Sequence, residues 1–156
     1  MSDGRTVAGG HGGGSGPVLA LDFGDRRIGV AVSDRLGVAA RPVMTLTRSS
    51  WDRDLESIDR MAREHGARRI VVGLPLDMNG TRGRRARVTE SFMARVRRAT
   101  GLPVIPWDER LTTVQAERAL LEGDVSRARR RQVIDQVAAV IILQAYLDAQ
   151  RVTGAG

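Results

Sequence analysis

The sequence predicts an α/β fold of three hairpin-linked strands followed by two strand–helix units and a closing helical region. Short apolar runs bounded by glycine, proline and aspartate begin near Val18, Ile28, Val38 and Arg69, and between and after them apolar residues recur at helical spacing. The scale is set by 156 residues, 42% of them hydrophobic and without an internal repeat, which suffice for one buried core. That core is assigned to residues 17–151. Residues 1–16, with seven glycines and almost nothing to bury, and residues 152–156 are expected to be disordered.

Val18 to Leu21 and Ile28 to Val32 read as strands of a β-hairpin, with Gly24 and Asp25 as turn chemistry between them. Val38 to Leu46 is a third extended stretch whose Pro42 suits an edge or broken strand. Trp51, Leu55, Ile58 and Met61 then fall on one helical face, and Gly66 ends that helix. Arg69 to Leu74 is a β-branched run closed by Pro75, followed by a polar loop and a helix from Gly83 to Ala99 with Val88, Phe92 and Val96 as its buried stripe. A brief strand at Val104-Ile105 leads through the loop Trp107 to Leu111 into a helix starting at Thr112, where Thr112 and Gln115 match a capping box. An Arg-rich connection precedes a last helix from Arg131 to Gln150.

Composition removes several function classes. Cysteine is absent, which excludes disulfides, thiolate zinc sites and cysteine nucleophiles. Of the two histidines, His11 lies in the tail and His65 beside a helix end, so a histidine zinc site is not expected. An aromatic share of 3% disfavours base-stacking platforms. The longest uninterrupted apolar run, Val137 to Leu143, is short for a membrane span, and no signal peptide is apparent, so a cytoplasmic protein without a membrane partner is expected. All 25 basic residues are arginine, and the net charge of +7 points to a polyanion such as nucleic acid.

Asp22 follows the first apolar run, at the sheet rim where open α/β sheets place ligands; on position alone it is as well explained as a turn former. Asp108 and Glu109 follow the strand at Val104, and Asp135 sits in the first turns of an otherwise apolar helix. An acid near a helix N-terminus is favoured by the helix dipole, but Ala138-Ala139 would also let this helix approach the sheet and bring Asp135 to the rim. Three converging acids repel one another unless a hard cation neutralises them, which points to Mg²⁺ or Mn²⁺ and to phosphodiester cleavage by two ions about 4 Å apart.

The strings Leu21 to Ala31 (LDFGDRRIGVA), Val71 to Gly80 (VVGLPLDMNG), Trp107 to Thr113 (WDERLTT) and Ile134 to Ala139 (IDQVAA) together resemble the YqgF/RuvX family of RNase H-like nucleases, over Leu19 to about Asp148. The resemblance implies an RNase H-like three-layer fold whose mixed five-stranded sheet joins three antiparallel hairpin-linked strands to two parallel ones. It implies an acidic, metal-binding catalytic triad at Asp22, Glu109 and Asp135, selecting Glu109 over Asp108. It further implies maturation of the 5′ end of pre-16S ribosomal RNA, Holliday-junction resolution, or both. One departure is that Asp77 and Asn79 stand in the reverse of the family's order.

Residues 82–98 carry Arg82, Arg84, Arg85, Arg87, Arg95, Arg97 and Arg98 against the single acid Glu90. A second run, Arg127, Arg129, Arg130 and Arg131, precedes Asp135. Runs of charge are commonly solvated faces, but two beside a cation site suit phosphate binding. Arg27, Asn79, Arg82, Arg84, Arg85, Arg110, Arg129 and Arg130 are the candidate contacts to structured RNA or branched DNA. A two-fold junction as substrate would suit a homodimer. Two rival readings are an actin-like ATP- or phosphate-binding domain, for which one domain supplies half a cleft, and a non-catalytic nucleic-acid-binding module, against which the presence of all three acids speaks.

Overall fold

A computed structural model describes the backbone of residues 16–122 and 127–154, and the side chains of 16–120 and 133–153. The predicted disorder of residues 1–15 and 155–156 lies outside the described residues.

Strands β1 (Val18–Phe23), β2 (Arg27–Ser33), β3 (Ala40–Thr47), β4 (Arg69–Leu74) and β5 (Val104–Asp108) form one sheet in the order β3-β2-β1-β4-β5. β1, β2 and β3 pair antiparallel, whereas β4 lies parallel to β1 and β5 parallel to β4. This is the mixed sheet expected, with Pro42 on the edge strand β3, where a register irregularity falls between its neighbours Val30 and Ala31.

Alternation along the strands splits the core in two. Leu19, Leu21, Phe23, Ile28, Val30, Val32, Ile70 and Val72 face α1 (Trp51–Glu64) and α2 (Arg84–Thr100). Val18, Ala20, Ala31 and Val71 face α4 (Arg127–Gly154) through Ala139, Ile142, Leu143, Tyr146 and Leu147. α3 (Val114–Glu122) packs on α4. The result is three layers with the sheet in the middle, and it is this second face that carries the site.

Several local expectations are corrected. On α2, Val88 is 43% exposed, and the buried stripe is Ala86, Thr89, Phe92, Met93 and Val96, because the helix is turned so that Phe92 stacks on Phe23 at 4.0 Å. β5 continues to Asp108, since residues 104–108 pair in register with Ile70 to Leu74, and a 3₁₀ turn Glu109–Leu111 follows where a loop was expected. Thr112 does not cap α3 as a capping box: its hydroxyl donates to the Glu109 carbonyl and accepts from Val114 N–H, while the Thr113 carbonyl takes the first helical bond from Glu117 N–H. α4 starts at Arg127 and runs to Gly154, so residues 152–154 are helical; the Thr153 hydroxyl donates to the Ala149 carbonyl.

Val133–Thr153 of α4 is, by length and composition, apolar enough to cross a membrane. In the fold its Ile134, Ala138, Ala139, Ile142 and Leu143 are buried, and the apolar face is the one that covers the sheet.

Candidate active site

The period of two that places Val18 and Ala20 beneath α4 also places Asp22 there, next in the series on β1. On β4 the same face carries Val71 and then Gly73, and on β5 Ile105 and Trp107 lead to Glu109 just past the strand end. Asp22 and Glu109 are 6% and 4% exposed, although both are acids. The third acid, Asp135, arrives from α4 with its side chain 18% exposed.

Two glycines let these groups meet. Gly29 pairs with Asp22 across the hairpin, and a Cβ there would overlap the backbone carbonyl of Asp135. Only a bare backbone lets α4 come this close. At Gly73 a Cβ would stand 2.7 Å from Glu109 Oε2 and 2.6 Å from Ile142 Cδ1, so its absence is what makes room for the glutamate.

The acids are held by arginines. Arg118, on α3, donates to Asp22 Oδ1 at 2.6 Å and to Glu109 Oε1 at 3.3 Å, bridging the two carboxylates. Arg27 Nε donates to Asp135 Oδ2 at 2.7 Å. Burial pushes the Asp22 carboxyl up from its ordinary 3.8 to about 6; Arg118 pulls it back, and Glu109 and Asp135 add repulsion. Burial works against the charge on Arg118, but the neighbouring carboxylates of Asp22 and Glu109 outweigh it and hold this guanidinium above its ordinary value.

These three acids line one open cleft of about 770 Å³, together with the β1–β2 turn, residues Pro75 to Asp77 and the start of α2. Arg84 and Arg85 line it, and so does Arg26. None of these three has an acidic partner among the described residues, whereas Arg82 pairs with Glu90 at 3.0 Å outside the cleft lining.

Asp108 is excluded from the site. It accepts from Arg110 Nη2 at 2.7 Å and Nε at 3.1 Å, and this hydrogen-bonded pairing lowers its carboxyl. Arg110 also donates to the Met78 carbonyl at 3.2 Å, so it ties β5 to the loop after β4. In that loop Asn79 Oδ1 accepts from Thr81 N–H at 3.1 Å, and Asp77 N–H donates to the Thr81 carbonyl; both polar residues fold the loop on itself. The side chains of Arg129 and Arg130 lie outside the described residues.

Sequence reasoning missed Arg118 and Arg26. Arg118 lies in no charge run; its signal is spacing, because it falls one helical turn after Val114, the buried anchor of α3, and so shares that inward face. Among the described residues no three acid or histidine side chains stand close enough to hold a metal as placed, because Arg118 bridges Asp22 and Glu109 and Asp135 is turned to Arg27. The donor set nonetheless fits a hard divalent cation: carboxylate oxygens only, two of the acids buried, and Asp22 short of positive charge even with Arg118 in contact.

The family described as "RuvX: Holliday junction resolvase" matches residues 16–149. The chain is 55% identical over 130 residues to the "Putative pre-16S rRNA nuclease" of Symbiobacterium thermophilum, covering 83% of this chain and 90% of the relative. The protein of that name from Myxococcus xanthus is 51% identical over 133 residues, covering 85% and 88%. Among solved structures, Thermus thermophilus RuvC in complex with Holliday junction substrate superposes with a TM-score of 0.55 at 15% identity, over 86% of this chain and 94% of RuvC. That likeness is one of fold, and the fold is the RNase H-like one expected from the sequence.

Proposed function

This chain belongs to the RuvX family, and from that membership we propose that Asp22, Glu109 and Asp135 are the hydrolytic centre with which it cuts structured nucleic acid. The family's activity makes the chain a nuclease, a hydrolase of phosphodiester bonds. The observation that carries the assignment of residues is the meeting of three acids, from β1, from the 3₁₀ turn after β5 and from α4, in one arginine-lined cleft.

Asp22, Glu109 and Asp135 would hold Mg²⁺ or Mn²⁺, two ions by this reading. Such cations, when bound, activate the attacking water and stabilise the leaving oxygen. The chain's own part is to hold the three carboxylates at the rim, with Gly29 and Gly73 setting their approach, and to keep the scissile phosphate in place. Arg26, Arg84 and Arg85 supply cations to flanking phosphates, Arg27 and Arg110 support the walls, and Arg82 and Asn79 extend the contact outward. Arg129 and Arg130 keep their assignment as phosphate contacts from the charge run.

We take the substrate to be pre-16S ribosomal RNA, cut near its 5′ end, because relatives at about half identity carry that name; on this reading the chain works in ribosome biogenesis, in the cytoplasm. The family's description favours a second substrate, a four-way DNA junction, on which a homodimer would match the two-fold symmetry. The test incubates wild type and Asp22→Asn with a 16S precursor and with a four-way junction, each with and without Mg²⁺ or Mn²⁺. Metal-dependent trimming of the precursor by wild type alone is expected. Equal cleavage by Asp22→Asn would sink the assigned centre, and cleavage confined to the junction would move the substrate to DNA.

A further inference from the structure

Arg118 stands where the acids of the site need a positive charge, and it stands there from a short helix whose described side chains, Val114 apart, are not buried. α3 has nine residues, Val114 is the buried one among its described side chains, and Leu120 on the same helix is 71% exposed. The Arg118 side chain, 26% exposed, reaches from solvent to the buried oxygens of Asp22 and Glu109. Arginine keeps its proton at any pH a protein meets, so this charge leaves the carboxylates only by moving.

Two buried carboxylates without a counter-charge are costly, since each repels the other in a low-dielectric setting. A tethered guanidinium offsets part of that cost, and it does so on the oxygens that an incoming cation would use. Resting on the reading of Asp22 and Glu109 as metal ligands, we propose that Arg118 is a placeholder cation: it fills the site in the resting chain and swings out when a divalent cation binds. Arg118 and the metal therefore exclude one another at Asp22 and Glu109, and the affinity for metal is lowered by the fraction of chains in which Arg118 is in place. Swung outward, Arg118 stays in the cleft beside Arg84 and Arg85, where its planar fork suits a substrate phosphate. The site then opens to metal and gains a phosphate contact in a single movement.

The experiment measures Mn²⁺ binding by the electron paramagnetic resonance signal of free Mn²⁺, for wild type, Arg118→Met and Asp22→Asn, all without nucleic acid. Arg118→Met, which keeps length and loses charge, is expected to bind Mn²⁺ with a dissociation constant roughly tenfold lower than wild type. Asp22→Asn is expected to lose this binding. A measurement on wild type stands beside the variants: the side-chain ¹⁵Nε resonance of Arg118 should move as Mg²⁺ saturates the site. Unchanged or weaker Mn²⁺ binding by Arg118→Met, or an Arg118 resonance that stays in place at saturating Mg²⁺, overturns the placeholder while Asp22 remains a ligand. Binding by Asp22→Asn equal to wild type overturns the metal site itself, and the placeholder with it.

Discussion

Two aspartate–arginine pairs sit at the same end of the sheet and behave in opposite ways. Asp108 with Arg110 is at the outer edge, and hydrogen bonding from the guanidinium lowers its carboxyl. Asp22 with Arg118 has a contact as short, 2.6 Å, yet its carboxyl is raised to about 6. The difference is burial, compounded by Glu109 and Asp135 on the inner side. A salt bridge seen in coordinates therefore says little about whether an acid is content. At Asp108 the arginine completes the acid, and at Asp22 it leaves a deficit that a stronger cation could fill.

The largest effect that would break this contrast is catalytic. Asp22→Asn and Glu109→Gln should each lower the cleavage rate by on the order of 10²–10³ or more, as loss of a group acting at the reacting centre does. Asp108→Asn, one residue from Glu109, should stay within about threefold of wild type, since an exposed ion pair is worth little. A loss at Asp108 as large as at Glu109 would erase the distinction between the two pairs.

Stability should respond with opposite signs. A carboxyl raised from 3.8 to about 6 binds its proton more tightly in the folded chain. Its penalty is absent below about pH 4, grows as pH rises to 6 and is complete above that, amounting to about 3 kcal/mol. Asp22→Asn removes the penalty, so urea denaturation should find this variant more stable than wild type at pH 7 and the gap closed at pH 4. Gly73→Ala follows in size. Its methyl would press on Glu109 Oε2, and overpacking of this kind costs about 1–3 kcal/mol, with loss of activity as the glutamate is displaced. Smallest is Asp108→Asn. Because Asp108 is lowered, the stability it contributes is present at neutral pH and lost as pH falls through its folded value, so the variant should cost roughly 0.5 kcal/mol at pH 7 and nothing in strong acid.

Much of this was legible in the chain. The hairpin, the edge strand with Pro42, the two strand–helix units and the long last helix follow from turn residues and from periods of two and 3.6. Asp22 was legible as a rim acid but not as an acid in the sheet proper, because β1 extends two residues past its apolar run and takes its register from Ile28 and Gly29 across the hairpin. Periodicity could not choose between Asp108 and Glu109: the choice depends on where β5 ends, and that is set by its pairing with β4, a strand some thirty residues upstream. Val88 was misjudged for a similar reason, since Phe23 fixes the roll of α2. Arg118 was not legible because it stands outside every run of charge, and its contact depends on a single turn of helix and a partner 96 positions away.

The close seating of α4 at Gly29 also bears on time. A ribosome releases the strands and the first helices before α4, so for that interval Val18, Ala20, Ala31 and Val71 have no cover and Asp135 has not yet joined Asp22 and Glu109. Docking of the last helix completes the core and the acidic centre in one event. On the proposed reading of that centre, a chain still on the ribosome lacks its third acid, and cleavage waits on the docking of α4.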